Sequence, residues 1–372
     1  MKIAENTNLI IEGSAKIIYE NIEKLSSKVP VFYNQNMRIN RDFSIAIVKS
    51  LSEILGKKLD ILDSMAATGI RGIRMLLEAE DAINKVVFVD IKKEAIENIK
   101  ENLKLNEIDD NKVLIINSDC RKVMLDYKFD YIDIDPFGSP VGFIQPAVLS
   151  LKNKGIIGVT ATDISALSGS KQKACYRKYN CIGIKTDFYL EFGIRVLAKY
   201  VIEEGLRFEI ALKPIFSYYY LHHYRIFFIK SKRKRDVNNI IENIKYIYYC
   251  PKCYYKSLEN ETCLNCNTKT KLLGPIYIGS LWDDKFMEKI KEKIKNMHPE
   301  TIETFEKIYI GDYKCKDIWY YYDIHRVAKY LKISKIPKIE EIIKKYNGFR
   351  THFTPTGIKT KEYPKLNFSS NF

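Results

Sequence analysis

The chain reads as an α/β protein, a doubly wound and mostly parallel sheet that closes on an antiparallel hairpin, followed by a basic α+β region. Three observations predict this. Short β-branched runs alternate with helical patterns between residues 59 and 160. Successive strand runs end on or beside an aspartate, at Asp63, Asp90, Asp119 and Asp135. Beyond residue 240 the alternation stops, and two Cys-x-x-Cys pairs and two short amphipathic helices take its place. A length of 372 residues suits two domains. The composition places the boundary after residue 230, giving 1–230 as the α/β domain and 231–372 as a basic C-terminal domain.

Taken in order, residues 1–20 hold β-prone runs around Leu9-Ile10-Ile11 and Ile17-Ile18-Tyr19, split by Gly13, and read as a hairpin. Val31 to Asp42, rich in Arg, Asn and aromatic residues, reads as a solvated loop before a helix that Asp42 could cap. Leu59 to Asp63 is a strand, Ser64 to Gly72 a small-residue turn and Ile73 to Leu77 the start of a helix. That unit leaves turn amides and a helix N-terminus to meet a polar ligand. It lacks G-x-G-x-x-G and the Gly-Lys-Ser/Thr of a phosphate loop. A carboxylate-bearing ligand such as the methionine moiety of S-adenosylmethionine fits Arg71 and the turn amides better than a dinucleotide does. Val86 to Val89 ends in Asp90, about as far past the turn as a ribose-binding acid should lie. After the helix Lys93 to Leu105, Val113 to Ile116 leads to Asp119-Cys120, an acid where an adenine amino group is commonly met.

Phe129 to Ile134 is the next buried strand, and Asp135-Pro136 ends it. Proline has no N–H and pushes Asp135 towards an extended backbone, so carboxylate and carbonyls stand exposed as acceptors at the sheet edge. Such a cluster fits a planar amino group, and Phe137 offers a face on which a flat base stacks. The arrangement resembles the Asp-Pro-Pro-Tyr type motif of enzymes that methylate exocyclic amines of nucleobases, although Asp-Pro and Phe-Gly-Ser-Pro are also plain turn signals. Downstream come a helix after Pro146, a strand from Gly155 to Thr160, a polar loop through Tyr179 and a helix from Asp187 to Glu204. Phe208 to Phe216 and Tyr224 to Ile229 are then strands joined by too few residues to be parallel. A parallel sheet closed by such a hairpin matches the class I, Rossmann-like S-adenosylmethionine methyltransferase fold.

Phe32-Tyr33-Asn34, Asn40-Arg41-Asp42, Asp63 to Gly72 (DSMAATGIRG) and Asp133 to Pro140 (DIDPFGSP) together resemble the tRNA (guanine-26) N2-dimethyltransferases of archaeal and eukaryotic type, over nearly the whole chain. Arg350 to Phe353 and Gly357 to Thr360 also fit. The chain departs from the family at Asn34-Gln35, where Asn-Pro is usual, and at Lys361 to Pro364, where the family continues Asp-Ala-Pro-Pro. The resemblance implies an S-adenosylmethionine-dependent enzyme that dimethylates the N2 amine of guanine 26. Asp135 would accept the amine N–H and take up its proton, the Pro136 carbonyl would assist, and Phe137 and Phe32 would clamp the base. Arg41, Arg71, Asp90, Asp119 and the Cys120 backbone would hold the cofactor, Arg41 and Cys120 on the resemblance alone. From the residues themselves, an acceptor cluster reads any flat amine. Guanine N2 in ribosomal RNA, adenine N6 in DNA and a non-catalytic zinc-ribbon nucleic-acid binder therefore stay open.

In the C-terminal region Cys250, Cys253, Cys263 and Cys266 form paired knuckles whose thiolates could close a tetrahedron about a structural Zn2+, with disulfides as the alternative. Ser231 to Arg235 reads as a solvated basic linker, whose position beside a nucleic-acid site would also let it meet phosphate. Ile324, Val327, Ala328 and Leu331, and then Ile339, Ile342, Ile343 and Tyr346, form two helical stripes, which suggest a helix-turn-helix or winged-helix-like core. Of the net charge of +15, residues 231–372 carry +11, as 28 Lys and Arg against 17 Asp and Glu. That asymmetry points to a polyanion, and the resemblance implies that it is tRNA. With 46% apolar and 29% charged residues, the chain is neither disordered nor membrane-spanning, and it shows no signal-peptide pattern. The expectation is a cytoplasmic protein, with no protein partner implied.

Overall fold

The computed structural model describes residues 7–20, 31 and 33–366. Its first elements are β1 (Thr7–Glu12), β2 (Ala15–Glu20), α1 (Arg38–Leu55), β3 (Leu59–Asp63), α2 (Ile70–Glu78), β4 (Ile83–Asp90), α3 (Lys93–Leu105) and β5 (Val113–Asn117). There follow α4 (Cys120–Asp126), β6 (Phe129–Ile134), α5 (Ile144–Ser150), β7 (Leu151–Ala161), α6 (Ile164–Leu167), α7 (Gln172–Tyr179), α8 (Tyr189–Leu206), β8 (Ala211–Tyr220) and β9 (His223–Ser231). The last part holds α9 (Lys234–Ile241), β10 (Ile244–Tyr249), β11 (Lys256–Ser257), β12 (Lys271–Tyr277), α10 (Asp284–Lys293) and α11 (Pro299–Ile310). It ends with β13 (Tyr322–Asp323), α12 (Ile324–Leu331), α13 (Ile339–Tyr346), β14 (Phe349–Arg350) and β15 (Gly357–Lys359). Backbone contacts group the chain into two compact units, residues 1–160, 227–231 and 284–302, and residues 161–226, 232–283 and 303–372. These units cut the chain at other places than the composition boundary after residue 230.

In the first unit the strand order is β5-β4-β3-β6-β7-β9, where β9 contributes its second half. The pairs from β5 to β7 are parallel. β6 is buried along its whole length, as a strand covered on both faces is, and its two buried carboxylates are paired, Asp130 with Lys57 at 2.7 Å and Asp133 with Arg71 at 3.2 Å. The order reverses between β3 and β6, the place where such sheets open a crevice beyond their carboxyl ends. α2 lies close on β4 because Gly72 has no side chain: a Cβ there would stand 2.3 Å from the Phe88 ring. α1 starts at Arg38, so the expected loop is shorter and Asp42 does not cap it. Asp42 sits inside the helix, buried, paired with Arg74 at 2.6 Å and accepting from Thr301 Oγ1 at 2.6 Å.

The expected N-terminal hairpin is present as β1 and β2. The free edge of β2 is satisfied by side chains of α3. Asn102 Oδ1 accepts from the Ile18 amide at 2.7 Å, and Asn106 Oδ1 accepts from the Lys16 amide at 2.8 Å. Their Nδ2 groups donate back to the Ile18 and Lys16 carbonyls. Amides four residues apart on one helix face thus imitate alternate residues of a neighbouring strand and close an edge that would otherwise template pairing. Asn102 Nδ2 also donates to the Thr68 carbonyl at 3.0 Å, tying hairpin and α3 to the turn after β3.

In the second unit β8 and the first half of β9 form the expected hairpin across Leu221-His222. The region from 162 to 179, expected as a polar loop, contains α6 and α7. Its polar sequence is that of short helices with one buried stripe, not that of coil. β11-β10-β12 form a small sheet, and β13-β15-β14 form another that shares a core with α12 and α13. The stripe residues Ile324, Val327, Ala328 and Ile342 are the core there. Buried charges are paired. Lys256 Nζ donates to Asp187 Oδ2 at 2.7 Å and lies 3.9 Å from the Tyr322 ring centre. Lys359 Nζ donates to Glu191 Oε1 at 2.5 Å. His352 is packed: its Nε2 accepts from the Tyr219 amide, so Nδ1 carries the hydrogen that it donates to Asp312 at 2.7 Å.

Candidate active site

Strand register sets the site. Asp133 of β6 stands opposite Asp63 of β3, and Asp90 of β4 opposite Asn117 of β5. Asp135 and Asp119 each follow two residues after those register points, so all the expected acids emerge along one carboxyl edge of the sheet.

Arg71, in the first turn of α2, reaches into the middle of this edge and is buried. Its Nε pairs with Asp133 Oδ1 at 3.2 Å, its Nη2 donates to Asp135 Oδ2, and its Nη1 donates to Asn40 Oδ1 at 2.7 Å and Ser44 Oγ at 2.9 Å. Burial works against the guanidinium charge, but Asp133, Asp135 and Asp63 outweigh it and hold Arg71 protonated. Asp63, fully buried, is pushed up to about 7 chiefly by that burial, with Arg71 and the Gly72 amide opposing and Asp133 and Asp135 adding to the rise. Tyr131 Oη donates to Asp133 Oδ2 at 2.5 Å. Asp133 is thus a buried strut, and Asp135, partly exposed, is the carboxylate of this group presented outward. Pro136 is buried, Phe137 is 55% exposed, and Gly138 at φ +85° lets the chain turn away.

The turn after β3 is held by its neighbours. Ala67, at φ +47°, donates its amide to Asp90 Oδ2 at 3.0 Å, and Lys92 donates to Asp90 Oδ1 at 3.0 Å. Asp90 therefore joins the turn to the end of β4 while remaining half-buried. Asp119 caps α4 by accepting from the Arg121 amide at 2.9 Å. Hydrogen bonding by the Arg121 side chain holds its carboxyl below the usual range. Cys120 is the first residue of α4, where backbone amides have no partner inside the helix. Its buried thiol is pushed up to about 12 by desolvation, which keeps it neutral.

Arg41 lies in a second cluster of the same unit. Its Nε donates to Glu12 Oε1 at 2.6 Å, and its Nη2 donates to Glu12 Oε2 and to the Asn34 carbonyl at 3.0 Å. Arg74 Nη1 also reaches Glu12 Oε1, at 2.9 Å. Burial would raise the Glu12 carboxyl, but the two arginines and Tyr33 bring it down to about 2. Phe32 lies outside the described residues; the adjoining Val31 and Tyr33 are buried. Asp133, Asp63, Asn40, Ser44, Glu12 and Arg74 were not singled out by sequence as site residues. Asn40 and Ser44 carry a faint signal, two polar groups four apart on one face of a helix, whereas Glu12 carries none.

In the second unit the Sγ atoms of Cys250, Cys253, Cys263 and Cys266 lie within 4.8 Å of one another, with Cys250–Cys266 at 3.5 Å and Cys253–Cys263 at 3.4 Å. Disulfide sulfurs would be about 2 Å apart, and tetrahedral sulfurs about 2.3 Å from a zinc are spaced like these. Each knuckle turns on a left-handed residue directly after its second cysteine, Tyr254 at φ +68° and Asn267 at φ +55°. The set can hold a metal ion, and with four ligands it leaves no open position for chemistry.

Among the described residues no helix is long and apolar enough to cross a membrane. A family model described as N2,N2-dimethylguanosine tRNA methyltransferase matches residues 13–366. A protein of Aquifex aeolicus named tRNA (guanine(26)-N(2)/guanine(27)-N(2))-dimethyltransferase is 37% identical, over 95% of this chain and 92% of its own. One of Saccharolobus solfataricus named tRNA (guanine(26)-N(2))-dimethyltransferase is 36% identical, over 91% and 90%. The solved structure of Trm1 from Pyrococcus horikoshii with S-adenosyl-L-methionine superposes with a TM-score of 0.82 at 32% identity, over 95% of this chain and 97% of that one. The α/β fold with its central mixed sheet is the fold of that structure. The acid-lined sheet edge and these near full-length matches agree, and the chain belongs to the N2,N2-dimethylguanosine tRNA methyltransferase family.

Proposed function

We propose that this chain dimethylates the exocyclic N2 of guanine 26 in tRNA, using S-adenosylmethionine. The observation that carries the reading is Asp135-Pro136-Phe137 standing past β6 beside Asp90 and Asp119, with Asp135 fixed by Arg71, in a chain of this family. Acids at the ends of β4 and β5 and a turn whose Ala67 amide faces Asp90 fit a ribose, an adenine amine and an amino-acid carboxylate. Asp90 would take the ribose hydroxyls, Asp119 and the Cys120 amide the adenine, and Arg41 and Arg71 the carboxylate. Among the described residues, Arg71 keeps one Nη2 hydrogen beyond its partners, and Arg41 keeps Nη1. When bound, the cofactor supplies an electrophilic methyl group on a sulfonium.

The amine lone pair is delocalised into the purine, so the base must leave its stack and be held in line with the methyl group. The exposed Phe137 ring stacks on it. Asp135 and the Pro136 carbonyl accept its N–H groups, and Asp135 takes the proton that nitrogen loses as its new bond to carbon forms. The Asp135 proton then exchanges with solvent, which the carboxyl's partial exposure permits. Residues 1–230 supply this chemistry, and residues 231–372, a basic region built on a zinc-ribbon-like Cys250/Cys253/Cys263/Cys266 cluster, supply most of the charge that holds tRNA.

The test is nucleoside mass spectrometry of unmodified tRNA after incubation with enzyme and cofactor, with the product mapped. N2,N2-dimethylguanosine at position 26 is expected. Products in ribosomal RNA or DNA alone, or cofactor binding without any product, would overturn the assignment. Mapping position 27 as well decides whether the chain shares the second site in the Aquifex aeolicus relative's name.

A further inference from the structure

Helix α7 presents to solvent a face that nothing inside the fold uses. Residues 168–180 hold three Lys and one Arg and no acid. Lys173, Tyr176 and Arg177 are spaced i, i+3, i+4 and share one exposed face, with Tyr176 61% exposed. Among the described residues no carboxylate pairs with Lys173 or Arg177, whereas Lys178, on the flank, is taken by Asp163 at 2.9 Å.

The other face is held firmly. Eight residues are too few for a stable helix in water, so tertiary contacts must hold it. Cys175 and Tyr179 are fully buried. Tyr179 Oη donates to Asp163 at 2.7 Å, and the buried Lys199 ammonium donates to the Tyr179 and Asn180 carbonyls at 3.1 Å each, capping the C-terminus. The segments on either side of α7 cross through two glycines: a Cβ on Gly183 would lie 2.9 Å from Gly169 Cα and 3.2 Å from Cys175 Sγ. A short helix is thereby pinned at its end and along its inner face, and it offers an aromatic ring between two unpaired cations.

We propose that this face of α7 is a contact surface for the RNA substrate. Lys173 and Arg177 sit on phosphates, and Tyr176 stacks on an exposed base or ribose. A lipid surface would need a broad apolar face, which α7 does not present, since Cys175 and Tyr179 are buried. The proposal rests on tRNA being the substrate, and it places a contact outside residues 231–372, where most of the excess charge lies.

The test measures tRNA dissociation constants for the full-length protein over a salt series. For Lys173→Glu/Arg177→Glu the constant should rise at least ~10-fold near physiological salt. For Lys173→Ala/Arg177→Ala the slope against log salt should fall by roughly 1.4–1.8, the value for two phosphates. Tyr176→Ala should weaken binding ~10-fold with the slope unchanged, because stacking releases no counterions. Cofactor affinity at the wild-type value certifies the fold in each case. Lys100→Glu/Lys104→Glu on α3 makes the same change in net charge and should cost far less. Variants of α7 that bind like wild type, or a control that weakens binding equally, overturn the surface. The activity is judged separately, by product formation in the wild type. Tight tRNA binding through α7 without dimethylguanosine would sink the activity and leave the surface standing.

Discussion

Asp135 and Asp90 stand on the same sheet edge, and single substitutions separate their roles. Asp135→Asn keeps the shape and the Arg71 contact but removes the proton acceptor. Single-turnover transfer should fall roughly 10²–10⁴-fold, with cofactor affinity held. Asp90→Ala should instead weaken cofactor binding, by calorimetry, through loss of the proposed ribose acceptor and of the Ala67 amide's partner. If the two phenotypes exchange, the assignment is reversed. Glu12 is a different kind of residue. Its carboxyl is lowered from 4.5 to about 2, so the stability it adds is present above pH 4.5 and is lost as pH falls towards 2. Glu12→Gln should cost about 3 kcal/mol at neutral pH, the size of that shift, and the gap from wild type should close on acidification. A gap in unfolding stability that does not change with pH would show that the arginine pairs are not what holds Glu12. Asp135 was legible in the sequence because proline after a strand has a fixed mechanical meaning. Glu12 was not, because its partners Arg41 and Arg74 lie far along the chain and only packing brings them to it.

At the level of elements, the asparagine ladder on α3 and the cysteine knuckles each do the work of a missing strand or core. Asn102→Leu should leave the Ile18 amide and the Thr68 carbonyl without partners, at about 1–3 kcal/mol each. The Ile18 amide should then exchange faster with solvent, and cofactor affinity should drop because Thr68 anchors the turn. Unchanged exchange at Ile18 would mean that the ladder is incidental. In the small β11-β10-β12 sheet, Cys253→Ser should lower bound zinc and the melting temperature while cofactor affinity holds, as expected where metal binding and folding share one free energy. Elemental analysis of the wild type checks the premise, and metal-free protein with two intact disulfides would refute it. The knuckles were readable from spacing alone. The ladder was not, since Asn98, Asn102 and Asn106 look like an ordinary polar helix face until β2 lies against them. The helix α7 was read as coil for a related reason: its buried stripe, Cys175 and Tyr179, is only two residues long.

For the whole molecule, +11 of +15 in residues 231–372 implies that tRNA affinity falls steeply with salt, a hundredfold or more between 50 and 200 mM if several phosphates are neutralised. A slope near zero would remove electrostatics as the anchor. The experiment needs the full chain, because residues 284–302 return to the first unit. There Lys289 of α10 donates to Glu53 of α1 at 2.8 Å and Thr301 donates to Asp42, so a fragment ending at residue 230 loses part of its own core. The sequence alone determined the alternation of strands and helices between residues 59 and 160, the acids at the strand ends, the exposed Asp-Pro-Phe corner after β6 and the four paired cysteines. Each of these is a local pattern with a local cause: side-chain period, proline geometry or ligand spacing. Only the tertiary structure decided that Arg71 spans Asp133 and Asp135, that Glu12 holds Arg41, and that α10 packs on α1. Those pairings join residues distant in sequence, and a buried charge acquires a partner only when the fold has removed water from both.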